Sequence, residues 1–414
     1  MKLNIIDVLD SLNKAQCIIS PSLGGHQQQV AYLAYRLAEA MDWPQEMRNK
    51  MFVAGLLHDV GALSLKEKQD AFDEEGPDIN IHAFRGAYLI NGFLPEKNIA
   101  PIVKYHHFLW KNGRAMDENP DMPIESHLLH LADRICASIS ESPFILAQVN
   151  QIKEHISINT GNIFVPEYMD AFIDLADKEY VWLDLVSTEV LQKVDYSSFD
   201  SLEISIDELI DLARIYSYLI DFRSHFTATH SARVAKVAEK LSELQNFSGD
   251  ETKKMLAAGY FHDLGKLAVD NAILEKQEAL TPEEFSAIRS HTYYTYYLLD
   301  GISGFETIQQ WAAFHHEKLN GRGYPFHLNE KDLPIGARIM AVADVFAALS
   351  EPRPYKPALS QEKVTSIMTG MVKNKSLDGH IVETLQSNYF LLSKICIDAG
   401  TTAENAYKTL YRIK

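Results

Sequence analysis

The chain repeats itself. Residues 51–63 read MFVAGLLHDVGAL and residues 255–267 read MLAAGYFHDLGKL, identical at seven of thirteen positions across an offset of 204. The same offset sets His26 over His230, and Val30, Ala34 and Leu37 over Val234, Ala238 and Leu241. Farther along, His82 matches His291, and His106-His107 matches His315-His316, at an offset of 209; Asp133 matches Asp344 at 211. Loops of a duplicated fold absorb so small a drift. Self-similarity at this scale therefore predicts two similar halves. One core for all 414 residues is excluded in any case, since single cores stop growing at about 250–300 residues.

The halves meet near residue 205, giving domains 1–204 and 205–414, with the polar stretch Val194–Ser205 as the junction. Both read as helical. His26, Val30, Leu33, Ala34, Leu37, Ala38 and Met41 share one face at 3.6 spacing, and Ile206, Leu209, Ile210, Ala213, Ile215 and Ile220 give 206–222 the same period. Residues 141–193 are expected to close the first half with further helices. No GxGxxG follows a strand, and there is no Walker loop or GxSxG elbow. The predicted fold class is all-α, two tandem helical bundles.

The formal charge of −17 argues against a long nucleic-acid partner, though local cations or metals can still hold a small phosphate ligand. Cys17, Cys136 and Cys396 lie far apart without a CxxC pair, so neither a disulfide framework nor a thiolate zinc site is expected, and a reducing cytoplasm is the natural compartment. Asp7 and Asp10 break the apolar start, and no window of 18 uncharged apolar residues offers a membrane span.

The second half projects metal-type ligands from five places: His230, His262-Asp263, His291, His315-His316 and Asp344. Helices deliver such residues to one point in a bundle interior. Neighbours on a helix diverge by about 100°, so His262 can serve one metal while Asp263 reaches a second. Imidazole with carboxylate suits Fe, Mn or Zn better than Ca or Mg. One buried histidine is more often a hydrogen-bonded core residue. Five His and two Asp in order, repeated in full by the other half, predict a metal site.

Residues 230–360 resemble an HD-GYP domain, a branch of the HD phosphohydrolases. The resemblance rests on His230, the run HDLGK from His262 to Lys266, His291, the run HHEKLNGRGYP from His315 to Pro325, IMAVAD ending at Asp344, and Arg353-Pro354-Tyr355-Lys356; it spans about residues 206–390. It implies a cyclic dinucleotide phosphodiesterase acting at a two- or three-metal centre. By resemblance, Asp263 bridges the metals, His230, His262 and Asp344 complete one, and His291, His315 and His316 the other. Lys266 would hold a nonbridging phosphate oxygen as charge builds. Arg353 and Lys356 match positions that contact substrate, and Tyr324 would either stack on a base or pack as a core ring. The GYP loop, Gly321–Pro325, is implicated in docking a cyclase domain. The partner expectations are thus a small cyclic dinucleotide, a docked cyclase domain and a homodimer, with no nucleic-acid polymer and no membrane.

Departures narrow this. Phe226 stands where three-metal members carry Glu, so two divalent transition metals are expected, Fe or Mn ahead of Ni or Zn. Asn320 replaces an Asp and keeps turn propensity. Ala347 replaces an Asp placed near a guanine, which weakens guanine preference. Thr295 replaces a Gly and is expected to reshape the pocket. A tandem HD plus HD-GYP chain also resembles the bacterial phosphodiesterases acting on 3′3′-cyclic GMP-AMP, and that substrate is preferred over cyclic di-GMP.

The first half keeps His26, His58, Asp59, His82, His106, His107 and Asp133 as a second candidate metal set. It has Ala62 where Lys266 stands, and Phe108-Leu109-Trp110 in place of GYP. It resembles a plain HD domain. Either it hydrolyses a phosphomonoester, such as the 5′-phosphate of a linear product, or it stabilises or regulates the second half.

Overall fold

A computed structural model of the chain describes residues 3–19, 25–62, 67, 79–91, 98–140, 144–194, 203–222, 229–276, 278–351 and 358–413. Helices dominate, as the periodicity predicts. The described strands amount to Leu3–Asn4 paired with Glu203–Ile204.

The chain divides into two compact units. The second-half unit takes Ile204–Thr409 together with Met1–Ile19, and the first-half unit takes Ser20–Glu203 together with Leu410–Lys414. The split at 203/204 falls within the polar junction. Residues 1–19, however, depart from the division at 204. Helix Ile5–Ile19 precedes the first His of its repeat as helix Ile206–Phe222 does in the other, so duplication alone assigns it to the first half. It packs instead against the turn Leu264–Ala268 and the helix Pro282–Leu299 of the second-half unit. Ile5, Ile6, Val8 and Leu9 are buried. Burying each such side chain is worth about 1.5–3 kcal/mol.

Each unit is built on one antiparallel helix pair. In the second-half unit this is His230–Leu244 against Gly249–Phe261, and in the first-half unit His26–Ala40 against Gln45–Leu57. The pair can close tightly because Gly259 and Gly55 face backbone. A Cβ on Gly259 would strike Ala235 Cα, and one on Gly55 would strike Ala31 Cα. The repeat thus preserves a close helix crossing as well as ligands. Two starts are written in sequence as capping boxes: Ser248 with Glu251, and Thr281 with Glu284 followed by Pro282 at the first helical position.

Helices Glu306–Ala313 and Ile335–Ser350 complete the wall around the second-half ligands. In the first-half unit, Asn80–Ile90, Ile99–Lys104 and Glu125–Ala137 do the same, and Ile145–Ser157, Pro166–Ala176 and Glu179–Leu185 follow as the sequence predicts.

Candidate metal centre

The HD dyad does not lie within a helix. Helix Gly249–Phe261 ends at His262, which keeps helical dihedrals (φ −55°, ψ −35°). Asp263 breaks away (φ −98°, ψ 11°) and opens the 3-10 turn Leu264–Ala268. The divergence of the two side chains comes from this break as well as from helical phase. Gly265 permits it: a Cβ there would run into the His291 carbonyl oxygen, and at the repeat position Gly61 it would run into that of His82.

In the second-half unit the ligand candidates converge. His230 Nε2 lies 3.0 Å from Asp344 Oδ1, and His262 Nε2 lies 3.2 Å from Asp263 Oδ2. His291 Nε2 lies 3.5 Å from Asp263 Oδ1 and 3.3 Å from His315 Nε2. His316 Nδ1 lies 3.9 Å from Asp344 Oδ2. The sets His230/His262/Asp344, His262/Asp263/His315 and His291/His315/His316 each bring one ligand atom per residue within 4.8 Å of the others.

The imidazoles are oriented from behind. His262 Nδ1 donates to Gly259 O at 2.8 Å, His291 Nδ1 to Ile288 O at 2.5 Å and His315 Nδ1 to Ala312 O at 2.6 Å. A proton fixed on Nδ1 leaves Nε2 as a lone pair. The buried His262 Nε2 has no hydrogen-bond partner and faces a carboxylate. Lone pairs aimed at each other and at carboxylates, without a donor between, suit a cation. The residues present fit divalent metals.

Electrostatics separate His291 and His315, held neutral, from His230, held protonated between its carboxylates. Burial pushes His291 down to about 3, and burial with His316 beside it holds His315 well below the usual range. Burial alone would raise Asp263, but His262 and Lys266 outweigh it and keep the carboxylate ionised. Burial alone would lower His230, but its bonds to Asp344 and Glu351 push it up to about 10. Lys266 Nζ reaches Asp263 Oδ2 from the 3-10 turn, three residues on, and Asp263 holds it in its charged form against burial.

One working residue, Glu351, has no signature in sequence, and the contacts of others show only in the fold. Glu351 Oε2 lies 3.6 Å from His230 Nδ1, while its other oxygen accepts from Thr229 Oγ1 at 2.7 Å and lies 3.3 Å from Arg233 Nε. Glu317 accepts from the backbone N–H groups of Phe326 and Leu328 at 2.6 and 3.0 Å, pinning the GYP loop. Thr295 is fully buried, and its hydroxyl is spent on backbone. Its Oγ1 accepts from Gly265 N at 2.9 Å and donates to His262 O at 3.1 Å, stitching the HD turn to the His291 helix. Asn320 keeps its turn, accepting from Arg322 N at 3.0 Å.

Tyr324 is neither free nor a core ring. Half-buried, its ring lies 5.0 Å from the His316 ring and 4.8 Å from the Arg289 guanidinium. Ala347 is fully buried on helix Ile335–Ser350 and offers no polar group. Phe226, Arg353 and Lys356 lie outside the described residues.

The first-half unit repeats the arrangement. His26 Nε2 lies 2.9 Å from Asp133 Oδ1, His82 Nε2 lies 3.4 Å from Asp59 Oδ1, and His107 Nε2 lies 3.1 Å from His82 Nε2. The sets His26/His58/Asp59 and His82/His106/His107 form. His58 Nδ1 donates to Gly55 O at 2.8 Å and His106 Nδ1 to Val103 O at 2.6 Å, leaving both buried Nε2 atoms without a partner. The cation differs. Ala62 offers none, and Arg134 instead donates to Asp133 Oδ2 at 2.7 and 3.1 Å.

Comparison with known proteins follows the same division. An HD-domain family matches residues 214–381, and another HD-domain family matches residues 23–138. The chain carries two HD domains. Among curated relatives, this tandem HD chain is 29% identical over 384 residues to the 3'3'-cGAMP-specific phosphodiesterase 1 of Vibrio cholerae serotype O1, covering 89% of the chain and 88% of the relative. It is 31% identical to phosphodiesterase 3 of that organism, over 53% of the chain and about half (48%) of that relative's length. The crystal structure of a cyclic GMP-AMP specific phosphodiesterase of V. cholerae, V-cGAP3, shares the fold at a TM-score of 0.62 and 20% identity, covering 98% of each chain. Among the described residues no helix is long and apolar enough to cross a membrane.

Proposed function

We propose that the second-half HD domain is a metal-dependent phosphodiesterase that opens a cyclic dinucleotide, 3′3′-cyclic GMP-AMP ahead of cyclic di-GMP, to a linear 5′-phosphorylated dinucleotide. The observation that carries it is the buried array of Nε2 lone pairs around Asp263, with Lys266 reaching into it. The named activity of the V. cholerae relatives supports the substrate class. The buried, apolar Ala347 supports the weaker demand for guanine.

His230, His262, Asp263 and Asp344 would hold one metal, and Asp263, His291, His315 and His316 the other, with Fe or Mn preferred. Two bound divalent metals supply a water-derived nucleophile and neutralise phosphate charge. Asp263 presents one oxygen toward His291 and the other toward His262, so it suits the bridging position. Lys266 keeps its proton and donates to a nonbridging oxygen as negative charge grows. Water adds to phosphorus, the ester bond to the 3′ oxygen breaks, and that oxygen takes a proton to leave as a hydroxyl.

Incubating metal-loaded protein with 3′3′-cyclic GMP-AMP and with cyclic di-GMP tests this by chromatography over time. Faster turnover of the hybrid nucleotide is expected. Equal or reversed rates would return the substrate to cyclic di-GMP, and no turnover with Mn, Fe or Ni would leave a nucleotide sensor.

For the first-half unit we propose a metal-binding HD domain that does not open cyclic dinucleotides. Its two ligand sets and partnerless His58 and His106 atoms support metal binding. Ala62, in the place of Lys266, argues against the same chemistry.

A further inference from the structure

Arg289 stands out among the arginines of the second-half unit. Arg233 is engaged by Thr229, Glu351 and the Cys396 carbonyl, and Arg338 by Asp378 and the Leu333 and Glu330 carbonyls. Arg289 is half-buried, yet no hydrogen bond or ion pair holds its guanidinium among the described residues, and its buried Nε has no partner. An unpaired, partly desolvated cation is costly unless a ligand completes it.

Its position says which ligand. Arg289 lies two residues before His291 on helix Pro282–Leu299, and its guanidinium covers the Tyr324 ring at 4.8 Å. That ring also meets His316, ring centre to ring centre, at 5.0 Å. A cation–π contact uses no N–H donor, so the guanidinium keeps its donors, the buried Nε among them, for an anion. Lys266, the cation nearest the proposed scissile phosphate, is already bonded to Asp263. A cyclic dinucleotide carries two phosphodiesters, and only one can occupy the metals at a time.

We propose that Arg289, held over the Tyr324 ring two residues before His291, binds the second, uncleaved phosphodiester of the cyclic dinucleotide. This rests on the function proposed above. The first-half unit fits the contrast, for Asn80 stands at the repeat position of Arg289, and no GYP tyrosine follows its paired histidines.

The test compares wild type, Arg289→Ala and Arg289→Lys on two substrates: 3′3′-cyclic GMP-AMP, with two phosphodiesters, and bis(p-nitrophenyl) phosphate, with one. Arg289→Ala is expected to lose roughly 10–100-fold in kcat/KM on the cyclic dinucleotide, mostly through KM, as the loss of a hydrogen bond to a charged group does. Its rate on the small diester and its unfolding temperature should stay at the wild-type level, and Arg289→Lys should recover part of the loss. An equal loss on both substrates, or no loss on the cyclic one, overturns the proposal. The wild-type rates report separately on the proposed function. If wild type cleaves the small diester and binds cyclic GMP-AMP without cleaving it, the function fails while dissociation constants still decide Arg289. If it does not bind the dinucleotide at all, both fall.

Discussion

His230 Nδ1 faces Glu351 Oε2 at 3.6 Å while its Nε2 faces Asp344 at 3.0 Å, so one imidazole is held between two carboxylates. Glu351 is itself tied to Thr229 and Arg233. It orients the ring and raises its basicity toward a metal. Glu351→Gln is expected to weaken metal affinity by roughly 10–100-fold, the range for loss of such supporting carboxylates. Titration with Mn, read by metal content and restored turnover at high metal, checks it; unchanged affinity would remove Glu351 from the site.

Lys266→Ala should leave metal content unaltered and lower kcat by about 10²–10³-fold, the scale of removing one donor to developing charge. A parallel loss of bound metal would instead assign Lys266 to holding Asp263.

Thr295→Val keeps the shape and deletes the hydroxyl. The buried Gly265 N–H then has no acceptor, a cost of about 1–3 kcal/mol. Thermal unfolding should report that destabilisation in the second-half unit. Wild-type stability would mean that the HD turn is secured elsewhere.

His127 carries a pH prediction for the first-half unit. It is buried, and burial with His130 nearby lowers it to about 4, against a smaller opposing pull from the Phe108 backbone. The unfolded value is about 6.5. The folded state therefore favours the neutral ring: its contribution is present above about 6.5 and is lost as pH falls toward 4, up to roughly 3 kcal/mol. His127→Phe should flatten that part of the stability profile. Urea unfolding at pH 7.5 and pH 5 decides; identical pH slopes for both proteins would exclude His127 as the cause.

Asp59→Ala should lower the metal content of the whole chain while cyclic dinucleotide opening continues at the wild-type rate. Metal analysis alongside turnover reads both. Lost opening would make the first-half unit part of the catalytic requirement.

The candidate ligands are legible because they recur. Two copies of the same His and Asp order, and a helical period around them, specify a bundle and its inward-facing side chains. What supports them is not legible. Glu351 acts through contacts made by folding, seven residues past Asp344, where a glutamate ordinarily reads as solvated, and the HHEKLNGRGYP run contains Glu317 without revealing its bonds from the Phe326 and Leu328 N–H groups. In sequence Thr295 reads as a pocket residue because its departure from Gly is visible while its two backbone partners are not. The sequence also says nothing of which unit will bury an amphipathic helix, so proximity along the chain places Ile5–Ile19 with the wrong half. Arg289 leaves no signal either, since its lack of a partner is a property of three-dimensional neighbours.

The path of the chain has a consequence for biosynthesis. Residues 3–19 are made more than two hundred residues before the turn Leu264–Ala268 and helix Pro282–Leu299 that cover them. Through that interval Ile5, Ile6, Val8 and Leu9 stay uncovered by their final partners. The first-half unit waits as well, since Leu410, fully buried and accepting from Arg85 Nε at 3.2 Å, is made 325 residues after Arg85. Each core closes only after a segment more than two hundred residues further along has been made. A cut at 204 therefore yields two fragments each missing part of its own interior.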